Sequence, residues 1–214
     1  MYTALLRLLI TVYSVGASMM TKAFLQPDCL DMVLASAVEV CPRETNGILL
    51  GRTRRLNGRQ VLELRTAYPI QTAERTPTAV GHGNLQAVHR LTDALNVMGK
   101  GLAGGYHSHP YPGGHISLTK YDIRFIEEEL KRLRLYTGYR KMDSWFELVM
   151  SVRPVSYTKL PKVGRRVEMD KGALVVKLRT EKYRGFDVKL RGYQVTKSEG
   201  KMNKRVMKLI SPSG

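Results

Sequence analysis

Tyr106-His107-Ser108-His109-Pro110-Tyr111-Pro112-Gly113-Gly114-His115-Ile116-Ser117-Leu118-Thr119-Lys120-Tyr121-Asp122 is the stretch whose reading decides the rest. Residues two apart on a strand share a face, so His107 and His109 present two imidazoles side by side before Pro110 stops the strand. Asp122 falls in the first turn of the following helix, where Thr119 is the cap and Asp122 the third position of a capping box. Two imidazoles and one carboxylate suit a zinc ion and leave a fourth coordination position for water, as catalytic rather than structural zinc requires.

The flanking segments read as alternating helices and strands. An extended piece, Lys22 to Leu25, leads into a helix opened by Pro27 and Asp28, with apolar residues at Leu30, Val33, Ala37 and Val40. Gly47-Ile48-Leu49-Leu50-Gly51 predicts a buried strand, and Asn57-Gly58 before Gln60 to Leu64 predicts a tight antiparallel hairpin. Thr66 to Asn84, with Pro69, Pro77, Gly81 and Gly83, is expected as a long loop. Leu85, Val88, Leu91, Leu95 and Met98 mark a second helix ending at Gly99, and Ile123, Ile126, Leu130 and Leu133 mark a third beginning at Thr119. Trp145 to Val152, Ala173 to Leu178 and Phe186 to Val195 predict further strands, and Lys197 to Gly214 a basic frayed helix or tail.

This constellation resembles the JAMM/MPN family of zinc metallopeptidases. That family joins a distal Glu to His-Ser/Thr-His-Pro, then a Ser after seven residues and an Asp two residues beyond it. Glu44, in Pro42-Arg43-Glu44-Thr45-Asn46-Gly47-Ile48-Leu49-Leu50-Gly51, looks like the distal Glu, and Ser117 stands at the family's Ser position. The family spacing would put the Asp at Lys120; here it is Asp122, two residues later, so the excess is expected as loop. Thr119 keeps a hydroxyl-x-x-Asp form and rivals Ser117, and His115 is a competing ligand in the same loop.

The resemblance spans roughly residues 20–152. It implies an α/β fold, an MPN-like, cytidine-deaminase-like mixed β-sheet flanked by helices, forming a single domain with a basic C-terminal extension. It implies His107, His109 and Asp122 as zinc ligands, Glu44 as general base and Ser117 as an oxyanion hydrogen-bond donor. The implied reaction is isopeptide hydrolysis releasing ubiquitin or a ubiquitin-like modifier. A non-catalytic MPN scaffold and a nucleic-acid-associated protein are the alternatives.

Chain length allows one well-sized core, and 43% hydrophobic with 25% charged residues excludes wholesale disorder. The charge is lopsided: 35 Lys+Arg against 18 Asp+Glu give +17, of which residues 153–214, read as basic strands and tail, supply +11 beyond Arg153. Such a field attracts acidic protein or nucleic acid. Tyr183, Phe186 and Tyr193 interleave with the basic residues. Cys29 and Cys41 form no CxxC or zinc-ribbon spacing and fit two thiols in a reducing cytoplasm. Residues 1–19 form an apolar extension with one charge, Arg7. It is too short and interrupted for a membrane span, and is readable as a mis-assigned start before Met20, a signal-like segment or a packed helix.

Overall fold

The computed structural model describes residues 20–77, 80–110, 114–136, 139–140, 142–156, 162–181 and 184–211. The expectations for residues 1–19, and those on Gly113 and Tyr183, lie outside them. Eleven strands and three helices follow one another in the described chain: β1 (Lys22–Leu25), α1 (Pro27–Val40), β2 (Asn46–Leu56), β3 (Arg59–Pro69), β4 (Ala73–Arg75), β5 (Val80–His82), α2 (Leu85–Val97), β6 (Leu102–Pro110), α3 (Lys120–Leu133), β7 (Ser144–Ser156), β8 (Gly164–Asp170), β9 (Ala173–Arg179), β10 (Arg184–Ser198) and β11 (Lys201–Ile210). Among these residues, no helix is long and apolar enough to cross a membrane.

The main sheet is closed, which overturns the expectation of an open MPN-like sheet with a basic extension. Its order is β11-β1-β3-β2-β6-β7-β10, and β11 also pairs with β10, so seven strands form a mixed barrel. Closure depends on β10, which is long enough to serve two partners along one edge. β7 takes its other edge from Arg184 to Thr196, while β9 pairs with Gly185 to Leu190 and β11 with Gly192 to Ser198. The β8–β9 hairpin therefore branches off the ring, and β11 bends on to pair in parallel with β1, Lys22 opposite Lys208.

Residues 201–210 are thus a barrel strand and not a tail. Met207 and Leu209 enter the core while Lys204 and Lys208 stay outside or reach a rim carbonyl; Lys204 Nζ donates to Leu118 O at 2.8 Å. Several basic residues of the C-terminal half pair with acids, as in Arg153 and Arg179 with Asp187, Lys177 with Glu168 and Lys197 with Glu127 on α3.

Turn chemistry sets the hairpins. Asn57-Gly58, Lys171-Gly172 and Glu199-Gly200 all have positive φ at both residues, the conformation whose twist matches paired strands. Thr66 to Asn84 is less of a loop than expected, because β3 continues to Pro69 opposite Gly47 and the β4–β5 ribbon follows. Helix α1 starts with Pro27 at its first position and takes no side-chain cap, so Asp28 lies within the first turn instead of capping it.

Two apolar clusters flank the β6–β7 part of the wall. One joins Leu30 and Val33 of α1 to Leu64, Tyr106, Leu148, Met150 and Met207. The other packs Ile126, Leu130 and Leu133 of α3 on Trp145, Val149, Tyr193 and Val195.

Candidate metal centre

Alternation along β6 divides its residues between those two sides. Tyr106 points into the α1 cluster, where its hydroxyl lies 3.1 Å from Ser36 Oγ, and Ser108 is fully buried. Ser108 Oγ accepts from Thr45 N at 2.9 Å, and Ser108 N donates to Thr45 O at 2.9 Å. That clamp, with Asn46 in register opposite His107, fixes the backbone beside Glu44 against the histidine strand. Glu44 N donates to Thr76 O at 2.8 Å, tying it to the segment after β4 as well.

His107 and His109 face the other way, toward α3, with ring centroids 4.8 Å apart. His107 Nδ1 lies 2.6 Å from Glu147 Oε1, and Glu147 Oε2 accepts from Trp145 Nε1 at 2.6 Å. His109 Nδ1 donates to the carbonyl oxygen of His115 at 2.9 Å. With both Nδ1 atoms engaged, both Nε2 atoms are left to face the site, the arrangement by which partners behind a histidine fix its orientation for a metal. A Cβ on Gly105 would meet Trp145 at 2.9 Å and Glu147 at 3.1 Å, so glycine there leaves room for this support.

Asp122 completes the group from the start of α3. Its Oδ2 accepts from Thr119 N at 2.6 Å, and its N donates to Thr119 Oγ1 at 3.2 Å, forming the capping box. Oδ1 is turned to His107 Nε2, 3.6 Å away. One ligand atom from each of His107, His109 and Asp122 lies within 4.8 Å of the others.

The donor set fits a cation. His107 Nε2 is buried and has no hydrogen-bond partner among the described residues. An orphaned buried nitrogen is costly unless something fills the role of partner. Burial acts to lower the His107 pKa, but the Glu147 hydrogen bond and the charges of Glu147, Asp122 and Glu44 outweigh it and raise the pKa. His109 moves the other way, lowered by burial and by the His107 charge. The same acidic surroundings that raise the His107 pKa would favour a cation at its Nε2, and a metal ligand must be deprotonated.

Glu44 stands beside the group without joining the ligand cluster. It is 7% exposed, and burial pushes its carboxyl up to about 7; His107 opposes that shift and Asp122 adds to it. Glu44, His107, His109 and Asp122 all line one cleft of about 780 Å³.

Three other residues of the loop before α3 fall differently. Ser117 is exposed and does not line the cleft; its N donates to His115 Nδ1 at 3.4 Å. The His115 ring lies tilted against that of His109, centroids 4.0 Å apart, outside the ligand cluster, and its carbonyl orients His109. Thr119 lines the cleft, although its hydroxyl is engaged by the cap. Sequence reasoning missed Ser108 as the clamp and Glu147 as the histidine's partner. The signal for Glu147 was a lone carboxylate within the apolar run Trp145-Phe146-Glu147-Leu148-Val149-Met150.

Searches against family models and against curated proteins found no match. Among solved structures, the chain is similar to the solution structure of protein DSY2949 from Desulfitobacterium hafniense, with 16% identity, coverage of 90% of this chain and 94% of that one, and a TM-score of 0.45.

Proposed function

We propose that this chain is a zinc-dependent peptide-bond hydrolase in which His107, His109 and Asp122 hold the ion and Glu44 moves protons. The observation that carries the reading is the orphaned, buried His107 Nε2 turned to Asp122 Oδ1 beside a second open imidazole and a buried carboxylate. When bound, zinc supplies Lewis acidity, polarising a substrate carbonyl and making water nucleophilic near neutral pH.

The chain's residues supply the rest. Glu44, whose carboxyl burial pushes up to about 7 in the metal-free protein, takes a proton from the attacking water and returns it to the departing amine. Glu147 and the His115 carbonyl hold the two imidazoles in orientation, and Ser108 holds the Glu44 segment in register. The motif shared with JAMM/MPN enzymes favours an isopeptide bond to the C-terminal glycines of ubiquitin or a ubiquitin-like modifier as the substrate. The +17 charge gives a long-range pull on acidic partners, protein or nucleic acid, that salt weakens.

The test is zinc content and turnover on the same preparations. Native protein should carry one zinc per chain and cleave a panel of ubiquitin-like conjugates and peptides, losing activity to chelator and regaining it with zinc. His107→Ala and His109→Ala should each lose the metal. Undiminished zinc in both variants would remove the centre. Full zinc with no cleavage across the panel would leave a binding protein or scaffold.

A further inference from the structure

The cleft continues well past the metal centre. Along α3 the side chains facing it run from Asp122 through Phe125 and Ile126 to Glu129 and Arg132. Ten residues of helix separate the first from the last, about 15 Å at 1.5 Å per residue. The facing wall comes from α2, through Val88, Leu91 and Leu95. The far end is closed by an ion pair, Arg132 to Glu129 at 2.6 Å, with Arg132 also donating to Thr92 Oγ1 at 3.3 Å. Both charged side chains are mostly buried and satisfy each other, leaving the space between metal site and ion pair apolar. Two aromatics of the same helix turn lie along it, Tyr121 at 73% and Phe125 at 38% exposed.

The terminal Gly-Gly of a ubiquitin-like modifier would leave this space unfilled, since glycine offers no side chain to bury, so its occupant comes from the segment on the other side of the cleaved bond. Resting on the hydrolase reading above, we infer that the α2–α3 cleft is the seat for a bulky apolar side chain, aromatic or branched aliphatic, flanking the bond that is cleaved. The cleft is continuous with the site of Glu44 and His107, so a side chain seated there places its own backbone amide beside the reacting groups. Apolar lining with a few placed polar groups is the usual make-up of a small-ligand pocket.

Trp145 makes the inference measurable without turnover. It is the only tryptophan in the chain, is buried, and lines the cleft. The experiment titrates zinc-loaded Glu44→Gln protein with blocked peptides of one sequence carrying Phe, Leu, Ala or Gly at a single position, reading tryptophan fluorescence. Cleavage of the same peptides by native protein is followed in parallel. The Phe and Leu peptides should bind at least about 10-fold more tightly than the Gly peptide, since even one methylene in a hydrophobic pocket is worth about that much. Phe125→Asp and Leu91→Asp, both at side chains that are not fully buried, should each abolish the preference while circular dichroism shows a folded chain. Equal binding of Gly and Phe peptides, or a preference surviving in both folded variants, overturns the assignment. A binding preference with no cleavage of any peptide or of the ubiquitin-like conjugates above supports the apolar seat while refuting the hydrolase reading.

Discussion

On the α1 side of β6 and β7, Tyr106, Leu148 and Met150 are almost wholly buried among apolar neighbours, and the Tyr106 hydroxyl is paired with Ser36 Oγ and Ser108 Oγ with Thr45 N. On the α3 side, His107 and Glu147 of the same strands and nearby Glu44 are nearly as buried, yet they are ionisable, and His107 Nε2 has no hydrogen-bond partner among the described residues. Equal burial therefore has opposite meanings on the two faces. The first lowers the free energy of the fold; the second is accounted for on the proposal that a cation binds there and a proton moves. Substitutions should accordingly separate, with those on the α1 side costing stability and those on the α3 side costing chemistry.

The largest effect expected is from Glu44→Gln. Zinc should stay at one per chain while turnover falls about 10²- to 10⁴-fold, the usual share of a general base. The same variant should be more stable than native protein once metal is removed. The folded-state carboxyl is raised from 4.5 to about 7, so the native chain loses stability as pH rises from 4.5 through 7, and glutamine does not titrate. The shift corresponds to about 3 kcal/mol above neutrality and to nothing below pH 4. Urea unfolding of the metal-free proteins at pH 4 and pH 8 checks this. A difference between them that does not change with pH would show that Glu44 is not held protonated by its burial.

Next is the opposite face. Leu148→Ala removes a fully buried side chain from the α1 cluster and should cost about 2–5 kcal/mol. Zinc stoichiometry should not change in protein kept below its unfolding temperature. Loss of zinc in folded Leu148→Ala protein would break the separation of the two faces.

A smaller effect is expected behind the metal. Glu147→Gln keeps shape but weakens the hydrogen bond that orients His107, so zinc affinity should fall about 10- to 100-fold by competition with a chromophoric chelator. If affinity holds, the Glu147 pairing belongs to the wall and not to the centre.

What could be read from the sequence was local, and what could not was remote. The placement of His107 and His109 on one face follows from a period of two residues. That of Asp122 follows from a capping box three residues long, and the Asn57-Gly58 hairpin from the turn itself. Barrel closure pairs Lys22, Ala23 and Phe24 with Lys208, Leu209 and Ile210, from opposite ends of the chain, and no short-range pattern announces it. Within β11, only Met207 and Leu209 are buried, so Lys201 to Ile210 reads as a polar tail although Glu199-Gly200 repeats the turn geometry of Asn57-Gly58. Ser117 was placed by counting along a motif, and counting does not report which way a loop residue faces; the loop leaves it in solvent.

The smallest effect expected tests the junction between the two kinds of residue, since Thr119 serves both helix α3 and the site. Its hydroxyl accepts from Asp122 N, while its backbone N donates to Asp122 Oδ2. Thr119→Ala removes the first bond and keeps the second, because alanine retains the backbone N–H. Stability should fall by about 1 kcal/mol, the ordinary worth of a helix cap, and Thr119→Ser should restore most of it. Zinc affinity should move far less than in Glu147→Gln, since the carboxylate that faces His107 remains anchored. A loss of zinc affinity in Thr119→Ala equal to that in Glu147→Gln would mean that the hydroxyl's bond, and not the backbone's, positions the Asp122 carboxylate. Unchanged affinity with turnover reduced more than tenfold would instead assign to Thr119 the oxyanion role that the motif spacing shared between it and Ser117, since a missing hydrogen-bond donor acts on the rate and not on the metal.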